Sequence, residues 1–165
     1  MSICYLNGKF LDLKEAKISP LDRGFLFGDA IYEVIASYNN KPFKIEDHLD
    51  RLFINLKDIK ISVNYSRQEV KNILESVIEK NDLSNQIIYL QISRGHEDIR
   101  DHIPGPSPSP TIFVCSFPLK NIPNAQTTSI KASLKKDFRW RKSNIKSTSL
   151  LANVMYKIQA SEEDF

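Results

Sequence analysis

Two stretches of the sequence decide the fold of this protein. Residues 19–33 read Ser-Pro-Leu-Asp-Arg-Gly-Phe-Leu-Phe-Gly-Asp-Ala-Ile-Tyr-Glu. Residues 144–153 read Asn-Ile-Lys-Ser-Thr-Ser-Leu-Leu-Ala-Asn. Neither stretch means much alone. Their combination, in this order and more than a hundred residues apart, is the most informative feature of the chain.

The sequence around the first stretch favours β-strands. The predicted strands are residues 3–6, 9–13, 30–38, 86–93, 111–117 and 127–135. Asn7-Gly8 joins the first two, because this pair readily adopts the positive φ angles of a type I′ hairpin turn. Asn39-Asn40-Lys41-Pro42 turns the chain after the third strand, which predicts a second hairpin. Residues 22–27 are predicted to form a short turn or helical loop that ends at Gly28.

Three segments are predicted to form helices: residues 45–59, 66–80 and 150–163. The first has apolar side chains at steps of three and four residues, which is the spacing of one helix face. The second begins with Ser66 and Glu69, which form a capping box. Residues 95–110 contain four prolines, so we expect a loop there. The order of these elements predicts a two-layer α+β fold with helices packed on a largely antiparallel sheet.

The composition is that of a soluble globular protein, with 165 residues, 41% of them hydrophobic and 26% charged. The net charge of +3 is spread along the chain, so no basic stripe argues for nucleic-acid binding. No apolar run is long enough to cross a membrane, and the first residues become polar too early for a signal peptide. Cys4 and Cys115 lack the spacing of a metal or redox motif. We therefore expect a reduced, buried cysteine pair in a cytoplasmic protein without a metal site.

Lys146 is the first candidate for chemistry. A lysine that forms a Schiff base must be deprotonated when it attacks, so it needs a partly desolvated site near other positive groups. Lys146 follows the polar, basic run at residues 139–144 and precedes three small polar residues. Most lysines are solvated surface charges, and only the surrounding motif favours a catalytic role here.

The two quoted stretches resemble the class IV, fold-type IV aminotransferases, which depend on pyridoxal phosphate (PLP). Ile-Lys-Ser-x-x-Leu-x-x-Asn at residues 145–153 resembles the cofactor-lysine segment of that family, which implies that Lys146 holds PLP. His-x-x-Arg-Leu at residues 48–52 resembles the helix whose arginine binds the PLP phosphate, which implies this role for Arg51. The planar fork of arginine suits phosphate, whereas the alternative for Arg51 is an ion pair with Asp47.

The pair Arg100 and His102 on the proline-rich loop resembles the D-amino-acid aminotransferase branch of the family. This resemblance implies that Arg100, His102 and Tyr32 bind the α-carboxylate of the substrate. It also implies a homodimer, because the loop in that branch reaches the site of the other subunit. The alternative is an exposed loop with ordinary surface charge.

Other residues of the motifs are interpreted as structural. Asp22 and Arg23 are expected to have mainly an architectural role, and Glu33 is expected to be structural as well. His48 is expected to pack or to pair within its helix. Trp140 is expected to be a packing anchor rather than a residue of the site.

The resemblance implies three parts: an N-terminal α+β domain at residues 1–120, a linker at 121–126, and the start of a cofactor-binding second domain at 127–165. It covers about the first half of a family member, so we expect a truncated chain without the acidic partner of the cofactor ring nitrogen. The implied activity is amino transfer between a D-alanine-like amino acid and a 2-oxo acid. The alternatives are a non-catalytic folded remnant, a branched-chain aminotransferase or an aminodeoxychorismate lyase. Arg100 and His102 argue against the last two.

Overall fold

The computed structural model describes residues 2–81, 83–106, 108–119 and 131–163. The elements within these ranges are β1 (Ile3–Leu6), β2 (Lys9–Asp12), α1 (Arg23–Phe27), β3 (Ala30–Tyr38), β4 (Lys41–Pro42), α2 (Ile45–Asp58), α3 (Arg67–Asn81), β5 (Asn85–His96), β6 (Ser109–Pro118) and α4 (Leu151–Glu162). A short 3-10 turn, Leu13–Glu15, follows β2.

The six strands form one sheet in the order β2-β1-β6-β5-β3-β4, and every pairing is antiparallel. The longest pairings join β3, β5 and β6, so these strands form the centre of the sheet. Helices α2 and α3 pack on one face of it. The predicted α+β fold with helices on an antiparallel sheet is therefore confirmed.

The core lies between this face of the sheet and the two helices. Leu49, Leu52 and Leu56 of α2 are buried there, at the three- and four-residue spacing of one helix face. Alternate residues of β5, such as Ile88 and Leu90, point into the same core, because neighbouring residues of a strand face opposite sides of the sheet. This burial fixes the position of α2 against β3, and both elements contribute to the site described below.

Two local predictions are confirmed in detail. Asn7 and Gly8 have φ angles of 45° and 92°, as the turn between β1 and β2 requires. Glu69 accepts hydrogen bonds from the backbone N–H and the hydroxyl of Ser66, both at 2.7 Å, while Ser66 Oγ accepts one from the Glu69 N–H at 3.2 Å. These bonds form the predicted capping box at the start of α3.

The predicted strand at residues 127–135 is not found where the structure describes it. Residues 131–135 form no strand and are exposed, and no described strand lies beside them to pair with their backbone. Residues 127–130 and the predicted linker at 121–126 lie outside the described residues. The predicted loop at 95–110 is too wide, because β5 continues past a bulge to His96 and β6 begins at Ser109.

Cys4 and Cys115 are both buried and unbonded, which confirms the predicted reduced pair. Burial raises the pKa of the Cys115 thiol to about 12, so this cysteine stays protonated. Within the described ranges of the chain, no helix has the length and apolar content needed to cross a membrane.

Candidate active site

A cavity of about 620 Å³ lies where the segment before α4 crosses the end of β3 and the side of α2. Lys146, Arg51 and Tyr32 all line it. Tyr32 and its neighbour Glu33 point to opposite faces of the sheet, and Arg51 reaches Glu33 from α2. The cavity therefore lies at an edge of the sheet, where groups from both faces meet.

The backbone around Lys146 pairs with the first residues of β3 and so extends the sheet there. The N–H of Tyr32 donates to the Lys146 carbonyl at 3.1 Å, and the N–H of Thr148 donates to the Ala30 carbonyl at 3.1 Å. On the other side, the Lys146 N–H donates to Asn55 Oδ1 of α2 at 2.8 Å. The backbone of Lys146 is thus held between β3 on one side and α2 on the other.

The side chain of Lys146 lies over an aromatic ring. Its Nζ is 4.1 Å from the centre of the Tyr32 ring, a cation–π geometry. Tyr32 in turn stacks on Tyr89 of the neighbouring strand, with ring centres 5.8 Å apart. In the part of the chain that the structure describes, no carboxylate forms an ion pair with Lys146 Nζ, so its charge is not neutralised locally.

Arg51 is held by a buried carboxylate. Its Nε donates to Glu33 Oε1 at 2.7 Å and its Nη2 donates to Glu33 Oε2 at 2.6 Å, a bidentate pair. Glu33 is only 1% exposed, whereas the Arg51 side chain is 48% exposed. The hydrogen bonds to Glu33 raise the pKa of Arg51, so the guanidinium stays charged.

The predicted alternative partner of Arg51 is wrong, because Asp47 pairs instead with Lys44 at 3.3 Å. His48 Nδ1 lies 2.7 Å from Glu33 Oε2 and 3.3 Å from Arg51 Nη2. Because a carboxylate only accepts, His48 Nδ1 donates to Glu33 on β3 and cannot also accept from Arg51, so the expected pairing within the helix is a side-chain contact and not a hydrogen bond. Glu33 binds both residues of α2.

Arg100 and His102 do not line this cavity in their own chain. Both are exposed, on the loop between β5 and β6, and both lie against Phe27 of α1. The Arg100 guanidinium carbon is 4.7 Å from the centre of the Phe27 ring, and the His102 ring is 5.3 Å away from it. The structure therefore brings together three of the five predicted site residues and places the other two in a separate cluster.

Sequence reasoning missed one residue and misjudged another. The missed residue is Asn55, which is buried and binds the Lys146 backbone. The sequence feature that could have revealed it is a polar residue on the buried face of α2, four positions after Arg51. Trp140 was expected to be a packing anchor, but it is 51% exposed and lines the cavity.

Comparison with known proteins gives relatives along nearly the whole chain. The D-alanine aminotransferase of Staphylococcus haemolyticus is 34% identical over 161 residues, which are 95% of this chain and 56% of that protein. The D-alanine aminotransferase of Bacillus licheniformis is also 34% identical, over 94% of this chain and 55% of that protein. The chain therefore spans about half the length of the curated relatives it matches.

Solved structures share the fold at lower identity. The branched-chain amino acid aminotransferase of Escherichia coli superposes with a TM-score of 0.67 at 24% identity, over 72% of this chain and 41% of that one. The T.th. branched-chain amino acid aminotransferase with pyridoxamine 5′-phosphate superposes with a TM-score of 0.68 at 19% identity, over 76% and 42%. The family model for amino-transferase class IV matches residues 30–165. The predicted family is thus confirmed, and this chain belongs to the class IV aminotransferases.

Proposed function

We propose that this chain forms the lysine-bearing part of a PLP-dependent aminotransferase, which exchanges an amino group between a D-alanine-like amino acid and a 2-oxo acid. The observation that carries this proposal is the convergence of Lys146, Arg51 and Tyr32 on one cavity. These side chains come from three separate parts of the chain. The likeness to D-alanine aminotransferases over nearly the whole chain supports the choice of substrate.

The residues at the cavity fit PLP, which is an aldehyde that carries a phosphate. Lys146 provides an amine without an ion-pair partner among the described residues. Arg51 donates Nε and Nη2 to Glu33, and within the described ranges its Nη1 has no hydrogen-bond partner, so this nitrogen is available to a phosphate oxygen. When bound, PLP supplies an electron sink for the negative charge that develops at the substrate Cα.

Lys146 has two tasks in this proposal. Its Nζ would hold the cofactor aldehyde, and the same amine would serve as the base that takes a proton from the substrate Cα. The hydrogen bond from its N–H to Asn55 fixes the backbone, so the amine would stay close to the bound substrate. Tyr32, whose ring centre lies 4.1 Å from Nζ, is proposed to orient the substrate.

The carboxylate of the substrate is proposed to bind to Tyr32 together with Arg100 and His102 of a second copy of the chain. In support, Arg100 and His102 are exposed and do not line the cavity of their own chain. The proposal therefore includes a homodimer. It also includes a cytoplasmic location, a linker at 121–126 and a second domain that begins at residue 127.

A branched-chain aminotransferase is the alternative suggested by the solved structures. Those structures are at most 24% identical to this chain, and they support the fold alone. The curated relatives at 34% identity are D-alanine aminotransferases. We therefore propose the D-amino-acid reaction.

The test is covalent trapping of PLP on the purified chain. The chain is mixed with PLP, its absorbance spectrum is recorded, and borohydride reduction followed by peptide mass mapping locates the label. We expect one labelled residue, Lys146, and D-alanine turnover is then assayed. Label spread over surface lysines would support a non-catalytic fold and contradict the proposal.

Two variants sharpen the trapping experiment. Lys146→Ala should abolish the specific label and the cofactor absorbance. Lys57→Ala is the matched control, because Lys57 is an exposed lysine in the last turn of α2, and it should label as the wild type does. Specific absorbance that persists in Lys146→Ala would overturn the assignment of this lysine.

A further inference from the structure

The loop that carries Arg100 and His102 makes few hydrogen bonds of its own in its described residues, 97–106 and 108. Ile99 and Ile103 are each 78% exposed, so burial does not order the loop. Within it, the Ile103 N–H donates to Asp101 Oδ1 at 2.9 Å. A loop that presents binding groups must be fixed from outside, because disordered side chains lose much of their binding free energy to ordering.

Arg23 supplies this fixing from α1. It is only 4% exposed, and its Nη1 and Nη2 donate to the backbone carbonyls of Asp101 at 2.7 Å and His102 at 2.9 Å. Nη1 also donates to Glu97 Oε2 at 3.0 Å, and the other oxygen of Glu97 accepts from the Gly105 N–H at 2.5 Å. One buried guanidinium thus joins both ends of the loop and its middle.

The same helix holds the side chains of the loop. Phe27 lies four residues after Arg23, so the two side chains lie on the same face of α1. The Arg23 guanidinium carbon is 4.9 Å from the centre of the Phe27 ring, and Arg100 and His102 contact the same ring. Helix α1 therefore binds the loop through backbone carbonyls and through the two predicted carboxylate-binding side chains.

Arg23 is itself tied to the body of the domain. Its Nε donates to Asp29 Oδ2 at 3.0 Å, and Asp29 also accepts two bonds from Arg94, at 2.7 and 3.0 Å. Arg94 in turn donates to the carbonyls of Ile59 and Lys60 at the end of α2, both at 2.8 Å. Two arginines and two carboxylates balance each other in this network, which makes their partial burial tolerable.

We propose that Arg23 is a positioning residue for substrate binding, which fixes the loop so that Arg100 and His102 are presented to the substrate carboxylate. This inference rests on the proposed function of these two residues. It assigns a role in substrate affinity to a side chain that is expected to touch no ligand. It gives a consequence for substrate binding to the mainly architectural role that the sequence suggests for Arg23.

The test compares Arg23→Lys with the wild type in the full chain. Lysine keeps the buried positive charge, but one amine cannot reach two carbonyls and two carboxylates at once. We expect amide hydrogen exchange at Ile103 and Gly105 to accelerate about ten-fold or more, because several charge-assisted bonds are lost. Trypsin should also cleave faster after Arg100. Unchanged exchange and cleavage would overturn the proposal.

Two further variants keep the result interpretable. Glu97→Gln removes one charged partner of Arg23 and should accelerate exchange at the Ile103 amide, which Glu97 does not bind, even if Arg23→Lys does not fold. Arg67→Gln is the control, since Arg67 pairs with Glu46 and Asp50 on the exposed side of α2 and should leave the loop unchanged. Equal acceleration in the control would overturn the proposal.

The functional readout separates positioning from simple stability. In Arg23→Lys we expect KM for D-alanine to rise about ten-fold while kcat and PLP trapping on Lys146 change by less than about two-fold. A loosened loop with unchanged KM would overturn the positioning role. If the wild-type chain traps PLP but shows no turnover, the proposed reaction fails, while the exchange data still decide whether Arg23 orders the loop.

Discussion

The segment that carries Lys146 and the domain beneath it are held in different ways. Helix α2 of the domain buries five of its residues, whereas α4, which follows the lysine, buries none. Lys146 nevertheless sits in a defined place, because the domain binds the backbone of residues 146–148 through β3 and Asn55. The position of the lysine is therefore set by hydrogen bonds to β3 and α2 and not by the packing of its own helix.

The two regions should differ most in how far a truncated side chain lowers the free energy of unfolding. Leu52→Ala in α2 should lower the free energy of unfolding by about 2–5 kcal/mol, because it leaves a cavity in a fully buried site. Leu151→Ala in α4 is the matched change at an exposed position and should cost less than about 0.5 kcal/mol. Urea unfolding monitored by circular dichroism measures both. Similar losses in the two variants would contradict the comparison.

A second experiment breaks the link between the regions. Asn55→Ala removes the acceptor of the Lys146 N–H and should lower stability by about 1–3 kcal/mol, because a partly buried donor loses its partner. Trypsin should then cleave faster after Lys146. Asn64→Ala, at an exposed asparagine, is the control and should change neither quantity. Wild-type protease resistance in Asn55→Ala would show that other contacts fix the lysine.

The smallest expected effect concerns pH. Burial alone would raise the pKa of Asp29, but the hydrogen bonds from Arg94 and Arg23 outweigh it and hold this pKa below its ordinary value. A lowered folded-state pKa contributes stability above the ordinary value of 3.8, and this stability is lost as the pH falls further. In Asp29→Asn, the free energy of unfolding should therefore fall less steeply as the pH is lowered, measured by urea unfolding between neutral pH and roughly pH 3.

Asp137 provides the contrast in the other region. Its bonds to Arg139 lower its pKa to about 2, but the pair is exposed and screened by solvent. Asp137→Asn should therefore leave the pH dependence of the free energy of unfolding unchanged. An equally reduced pH dependence in both variants would show that the exposed segment contributes to stability as the domain does.

The fold could be predicted where local patterns coincide with burial. Strand β3 has the predicted bounds, and α2 ends one residue before its predicted end. The prediction succeeds for both because the apolar run of β3 and the helical spacing of α2 match the faces that pack in the core. Residues 131–135 are also predicted to form a strand, but no described strand lies beside them. Strand propensity depends on such a neighbour, so it fails as a signal there.

The site was predictable in its members but not in their connections. Lys146, Arg51 and Tyr32 follow from the motifs, and the structure places them around one cavity. The pairing of Arg51 with Glu33 joins residues 18 apart, and the bond from Arg23 to the His102 carbonyl joins residues 79 apart. Local spacing instead indicated Asp47 as the ion-pair partner of Arg51, because spacing along the sequence shows only partners within one helix.

The placement of Arg51 and Asn55 four residues apart on α2 has a consequence for how this protein can change. One helix thereby sets the separation between the group proposed for the cofactor phosphate and the anchor of the lysine, a rise of about 6 Å. Substitutions elsewhere on the helix leave that separation intact. A single inserted residue between them would turn Asn55 by about 100° and uncouple the two anchors. The length of this turn is therefore under a stricter geometric constraint than its composition.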